Sequence, residues 1–247
     1  MKSPIHLSAS KIDTFYNCPR LYQYKYVLNL KEPPKKSFLI GNVTHSALEY
    51  FHKSYVNKKT SKAVMGSAFK KSMSEYKSKA PGLDKNDIMT IKGMLQDYLY
   101  YLSPRSEPKV IGTEKYFKIQ LGDGISMGGK IDRIDRYGDK LYIVDYKTSF
   151  AVYSRKEMAA STQLVIYAHW AQQEFNVKEI YGVYIFLKHV LNGGVQKMLI
   201  DSDPDSLKSK CEAIRDRVES DDFPKNKSFR WCGKKYCSFY DRCVKEK

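Results

Sequence analysis

Asp132, Asp145 and Lys147 are the residues whose types and spacing could do chemistry. They lie in the alternating apolar runs GGKIDRID and IVDYKT, separated by Tyr137-Gly138-Asp139, a hairpin signal. If Gly138 and Asp139 form a two-residue turn, Tyr137 faces Lys140, and the same register sets Asp132 directly across from Asp145. Two carboxylates about 5 Å apart on one sheet face repel each other unless one is protonated or a cation lies between them. Period two brings Lys147 to the face of Asp145; it turns Tyr146 away and leaves the Tyr146 carbonyl able to point at the same ion. Hard oxygen donors with open positions suit Mg2+ or Mn2+, which polarise a phosphodiester and lower the pKa of a bound water. Lys147 could orient that water or offset charge growing on the phosphorus oxygens. The competing reading is a surface hairpin whose acids pair with Lys130 and Lys147.

Other candidates are weaker one by one. From Gly41, the apolar positions Val43, Ala47, Leu48, Phe51 and Tyr55 recur at helical spacing and leave His45, Glu49 and His52 as one polar face. Gln163 and Tyr167 stand at i and i+4 on another helix, ordinarily a half-exposed edge. Of five cysteines, three crowd the last sixteen residues as CGKKYCSFYDRC, a spacing that in a reducing compartment suggests a metal before disulfides. Cys211 falls inside the helix expected after Pro204 and reads as a packed thiol. Gly124 to Lys130 satisfies G-x-x-x-x-G-K. Ile131 and a strand follow, however, where a P-loop needs Ser or Thr and a helix, so no ATPase site is expected.

The elements that must position these residues follow from periodicity and punctuation. Ser8 or Ser10 can cap a helix through Phe15, and a second amphipathic stretch after Cys18-Pro19 ends before Pro33. Residues 53–105 read as helical, and residues 53–80 hold eight lysines against Glu75. Val110 to Leu121, Ile125 to Asp135 and Lys140 to Thr148 read as an antiparallel meander. A helix over 155–175, a buried strand Ile180 to Leu187, a turn at Asn192-Gly193-Gly194, a further strand and a helix from Pro204 complete the order. This pattern predicts one α/β domain over 1–247, with residues 53–105 a basic helical insertion and residues 225–247 a cysteine-rich appendage.

With 247 residues, 42% of them hydrophobic and 13% aromatic, the chain can bury a sizeable core, which argues against disorder or a disulfide-stapled miniature. Forty-three basic against 27 acidic side chains give +16, a self-repulsion that a polyanion would relieve, so nucleic acid is the first candidate partner. Ile180 to Leu187 is far too short for a membrane span and the opening residues have no apolar signal core, so no membrane partner and a cytoplasmic location are expected.

Taken together, GNVTH, GGKIDRID, VDYKT and QLVIY, in this order and at these intervals, resemble the PD-(D/E)XK nucleases. The resemblance is to the RecB-like exonuclease branch that includes the CRISPR-associated adaptation nucleases, and it runs from Leu7 to Cys243. It implies a restriction-endonuclease-like core, a mixed central sheet flanked by helices. It also implies that Asp132 and Asp145 are metal ligands for Mg2+ or Mn2+, that His45 completes the site, and that Lys147 is the catalytic lysine. Gln163 and Tyr167 would belong to the motif lining the site and the DNA path. The proline of the family name is absent, since Lys130-Ile131 precedes Asp132.

A cysteine before a proline near the N-terminus plus a C-terminal trio is the pattern by which a subset of this family binds a 4Fe-4S cluster. It implies Cys18, Cys232, Cys237 and Cys243 as ligands, with the tail pairing to Cys18. Four residues separate Cys232 from Cys237 where two are usual, and Zn2+ at the same thiols is the alternative. The implied activity is a metal-dependent deoxyribonuclease, an exonuclease on single-stranded DNA or duplex ends. A helicase, or a recombination or CRISPR partner, would be a separate chain, in a bacterial, archaeal or phage-infected cell. From Lys225 onward eight basic residues face two acidic ones, suited to phosphate contact without sequence readout. Two rivals are a non-catalytic DNA-binding module of the same fold and a metal-dependent phosphoesterase on RNA or nucleotides.

Overall fold

Alternation and turn chemistry draw the middle of the chain into strands, and capped amphipathic segments surround them. A computed structural model describes residues 3–33, 35–54, 61–77, 82–105 and 108–246. The elements are β1 (Ile5–Leu7), α1 (Ala9–Asn17), α2 (Pro19–Tyr22), α3 (Lys36–Ser54), α4 (Ser61–Lys77), α5 (Lys85–Leu102), β2 (Val110–Gly122), β3 (Ile125–Tyr137) and β4 (Lys140–Lys147). They continue as α6 (Arg155–Ala159), α7 (Thr162–Phe175), β5 (Glu179–Phe186), β6 (Val195–Leu199), α8 (Pro204–Glu219) and α9 (Tyr240–Lys245). The strand order is β1-β3-β4-β5-β6, with β2 also paired to β3. The sheet is mixed: β1–β3 and β4–β5 are parallel, β3–β4 and β5–β6 antiparallel.

The chain forms two compact units: Met1–Pro34, Phe117–Gly129 and Ser202–Lys247 make the first, and Lys35–Tyr116 with Lys130–Asp201 the second. In the first unit β1 pairs with Ile125–Met127, and Leu7, Ile12, Ile125, Met127, Leu207 and Ile214 are buried. Ser8 caps α1 by accepting from the Lys11 N–H. Cys18 closes α1 and opens α2, whose first position is taken by Pro19, where a missing N–H costs nothing. A π-helical turn over Gln23–Val27 then continues the expected second helix. Cys211 is fully buried on α8, and burial, with the Glu212 charge, pushes its thiol up to about 11, so it is a packed thiol as expected.

In the second unit the hairpin carries the expected register. Tyr137 lies opposite Lys140 and Arg133 opposite Val144, with Gly138 at φ +61°, the left-handed first turn residue that glycine adopts without strain. Val144, Tyr146, Val183 and Ile185 project from one sheet face into a core with Val43, Leu48 and Phe51 of α3, Met65 of α4, and Ile91 and Leu95 of α5. The basic helical stretch over 53–105 thus contributes α4 and α5 to this core, while its residues 55–60 and 78–81 lie outside the described residues. Asp84 caps α5 in a reciprocal capping box with Asp87. Among the described residues, no helix is long and apolar enough to cross a membrane.

The other sheet face receives α7. Gly182 of β5 permits the approach, because a Cβ there would stand 2.8 Å from Leu164 Cδ1 and 3.0 Å from Ile200 Cγ1. Gly182→Ala should therefore lower unfolding free energy by about 1–3 kcal/mol, the usual cost of overpacking. Leu164→Ala in the same chain should recover part of that loss. Urea titration of the single and double variants checks this, and additive losses would show that the contact with Leu164 is not the cause.

Candidate metal centre

Each side chain at the site is delivered by an element whose start or register is locally determined. Asp132 on β3, and Asp145 and Lys147 on β4, are presented by the hairpin. α3 carries His45, and α7 begins at Ser161, whose side chain accepts from the Leu164 N–H, so that Gln163 falls in the first helical turn. Together with Glu114 of β2 these residues line one cavity of about 580 Å³.

Three acid–base pairs organise the site. Asp132 Oδ1 is 3.2 Å from His45 Nδ1, and its Oδ2 accepts from the Tyr146 backbone N–H at 2.8 Å. Asp145 Oδ2 is 2.7 Å from Lys147 Nζ, and its Oδ1 accepts from Gln163 Nε2 at 2.8 Å. Glu114 pairs with Lys130. Gln163 ties the second pair together, since its Oε1 also accepts from Lys147 Nζ at 3.0 Å. Behind it, Tyr167 Oη donates to the Lys130 carbonyl and lies 2.8 Å from Gln163 Nε2.

The charges answer to burial and to one another. Burial raises the Asp145 carboxyl and the Asp132 charge adds to it, against the opposing pull of Lys147. Burial pulls Lys147 down, but Asp145 outweighs it and the ammonium ends above its ordinary value. Burial likewise lowers His45, and Asp132 reverses the shift to a net rise. Burial and the Asp145 charge raise the Tyr167 phenol, keeping it a neutral donor. Two carboxylates that depend on neighbouring cations are a site a divalent ion would relieve. His45, Glu114 and Asp132 each offer a ligand atom, all within 4.8 Å of one another. Asp145 Oδ2 is buried, and among the described residues its partner is the Lys147 ammonium.

Behind the site, on the opposite face of β3 and β4, sits a buried cation. Arg133 is only 5% exposed; its Nη1 donates to Tyr146 Oη at 2.6 Å and to His52 Nε2 at 2.8 Å, and its Nη2 donates to Asp135 at 3.0 Å. Tyr98 of α5 joins the same cluster through His52 and Tyr146. Because arginine has no acceptor, His52 Nε2 must accept and the ring is neutral, and burial together with Arg133 holds its pKa well below the ordinary range. The expectation that His52 shares a polar face with His45 is thus corrected. The ring is 7% exposed and turned into this cluster, since the helix packs that side against Tyr98 and Arg133. Glu49 pairs with Lys53.

Asp132, Asp145, Lys147, His45, Tyr146 and Gln163 line the cavity, with Tyr167 bonded behind Gln163. Glu114 is a site residue that the sequence pattern does not single out. Its φ of +49° is left-handed inside a strand and breaks the alternation that marks the other residues, so no periodic signal could have found it. Lys130, which the competing surface-hairpin reading paired with the aspartates, pairs with Glu114 instead. In the first unit, Cys18, Cys232, Cys237 and Cys243 line a separate cavity of about 560 Å³. Burial raises the Cys237 thiol, against a Phe239 backbone N–H, and the neighbouring thiols of Cys18, Cys243 and Cys232 push in the same direction.

Comparison with known proteins gives the family and the fold. The sequence profile of the PD-(D/E)XK nuclease superfamily matches residues 6–244. A polypeptide of an ATP-dependent helicase/deoxyribonuclease from Streptococcus equi subsp. zooepidemicus is 31% identical over 180 residues, covering 67% of this chain and 16% of that protein. Its counterpart from Streptococcus pyogenes serotype M12 is 29% identical over 154 residues, 59% of this chain and 14% of that protein. The chain therefore spans about a sixth of the length of these relatives. A crystal structure of a provisionally assigned exonuclease from Eubacterium rectale has a TM-score of 0.52 at 11% identity, covering 98% of this chain and 88% of that one, a likeness of fold.

Glu114→Gln, which keeps the size and removes the charge, should weaken Mn2+ binding by about ten-fold or more, since even outer-shell partners cost that much. Titration calorimetry on the folded variant measures it. An affinity equal to wild type would leave Glu114 as the partner of Lys130 alone.

Proposed function

Because the chain belongs to the PD-(D/E)XK nuclease superfamily, we propose that it is a metal-dependent deoxyribonuclease that acts as an exonuclease on single-stranded DNA or duplex ends. The observation that carries this reading is the single cavity into which Asp132, Asp145 and Lys147 project with His45, Glu114 and Gln163. Asp132, Asp145 and His45, with Glu114 and the Tyr146 carbonyl as further oxygen donors, would hold Mg2+ or Mn2+. When bound, that ion would polarise the phosphodiester and lower the pKa of its water. Lys147, kept charged by Asp145, is suited to orient the attacking water or to meet charge developing on the phosphorus oxygens. Gln163 and Tyr167 position Lys147 and Asp145 through the bonds described above. DNA as substrate is supported by the deoxyribonuclease named in the streptococcal relatives and by the net charge of +16. Their names also support a helicase as partner.

We further propose that Cys18, Cys232, Cys237 and Cys243 hold a 4Fe-4S cluster, with Zn2+ as the alternative. One cavity lined by four thiols supports this, as does the closeness of Cys18, Cys243 and Cys232 to Cys237, whose thiol burial and those neighbours raise. The cluster would tie residues 225–247 to Cys18 and add its binding energy to folding.

Asp145→Asn should abolish cleavage of end-labelled DNA while binding persists. Lys147→Ala should lower turnover by ~100-fold or more, the range for a lost acid–base or electrostatic group. Single-stranded DNA, duplex DNA and RNA, each with Mg2+, Mn2+ or Ca2+, form the substrate panel. Near-normal turnover by Asp145→Asn in Mn2+ would overturn the assignment, and preference for RNA would transfer it to a phosphoesterase.

Anaerobically purified protein should be brown with about four irons per chain. Cys237→Ser should bleach it and lower its melting temperature, whereas Cys211→Ser should leave the colour unchanged. Colourless protein carrying one zinc would select the alternative.

A further inference from the structure

Trp231 and Tyr236 each immediately precede a cysteine of the tail, Cys232 and Cys237. Both rings reach the surface: Trp231 is 42% exposed and Tyr236 46%. The two meet edge to face, with ring centroids 4.9 Å apart and planes at 68°. A single exposed aromatic is ordinary; here two are held together at the surface. Their placement is built by the chain around them. The Cys232 N–H donates to the Phe229 carbonyl at 2.7 Å, and the Tyr236 and Cys237 N–H groups share the Gly233 carbonyl at 3.0 and 2.9 Å.

Cations accompany both rings. The Arg230 guanidinium lies 4.3 Å from the Trp231 centroid and Lys235 Nζ 5.4 Å from that of Tyr236. Residues 225–247 carry eight basic side chains against two acidic ones. Aromatic faces flanked by guanidinium and ammonium groups match an unpaired base with its phosphates, because every base has a π face and every nucleotide a negative charge. A duplex keeps its base faces stacked and presents phosphates and groove edges instead.

We propose that Trp231 and Tyr236 form a base-stacking platform for single-stranded DNA, with Arg230 and Lys235 holding the adjacent phosphates. The inference rests on DNA being the substrate, but it uses none of the residues of the metal centre. Stacking is indifferent to sequence, so the platform would hold any unpaired strand.

The test uses the full chain without added divalent cation, so that binding is read apart from cleavage. An oligonucleotide carrying iododeoxyuridine is cross-linked by light and the adduct mapped by mass spectrometry; adducts are expected on Trp231 or Tyr236. Anisotropy with labelled oligo-dT should show Trp231→Ala and Tyr236→Ala each weakening single-strand binding about ten-fold, with Trp231→Phe close to wild type. Duplex binding should change less than about two-fold, and the salt slope, which counts phosphate contacts, should fall for Arg230→Ala but not for Trp231→Ala. Adducts confined to other residues, or single-strand affinity of Trp231→Ala equal to wild type, would overturn the platform. Cross-links at Trp231 in a protein that cleaves nothing would refute the nuclease proposal and leave the platform standing. Cleavage without those cross-links would do the reverse.

Discussion

A one-residue slip of β4 against β3 would turn Asp145 and Lys147 away from Asp132 and out of the cavity and push Tyr146 toward it. Side chains alternate with a period of two, so register decides which charges share a face. The rung pairing Arg133 with Val144 and the two-residue turn at Gly138 exclude the slip. Penalties on both faces reinforce them. On one side two carboxylates must find His45 and Lys147, and on the other a buried guanidinium must find Asp135, His52 and two phenols.

The buried cluster also connects the site to its helices. Breaking a buried charge pair commonly costs ~3–5 kcal/mol, because the remaining charge is left in a poorly solvating interior. His52 and His45 lie on the same helix, and Tyr146 stands between Asp145 and Lys147 on the same strand. The bonds that satisfy Arg133 therefore hold α3 and β4 in the placement that the cavity requires, while Tyr98 brings in α5. The helices contributed by the lysine-rich segment follow the same logic: their apolar sides enter the core and their lysines remain in water.

In the first unit a different constraint operates. The tail has few buried side chains, and Phe239 is its buried aromatic. Short hydrogen-bonded turns organise it instead, and its three cysteines line one cavity with Cys18. Such a tail can leave Trp231 and Tyr236 at the surface, where a core-forming segment would bury them.

The hairpin, the facing of Asp132 and Asp145, the helix that carries Gln163, and the packed state of Cys211 were legible from sequence, because each depends on local rules of turn chemistry, strand alternation or helical period. The resemblance of four ordered motifs anticipated the superfamily that the profile match shows. Glu114 was not legible, because its left-handed backbone departs from the strand pattern. Nor was the burial of His52, whose spacing makes it a surface neighbour of His45 until α5 and β3 close over it. Local spacing determines which side chains share an element's face. Only the tertiary structure decides what packs against that face, because the partners are Tyr98 and Arg133, 46 and 81 residues away in the chain.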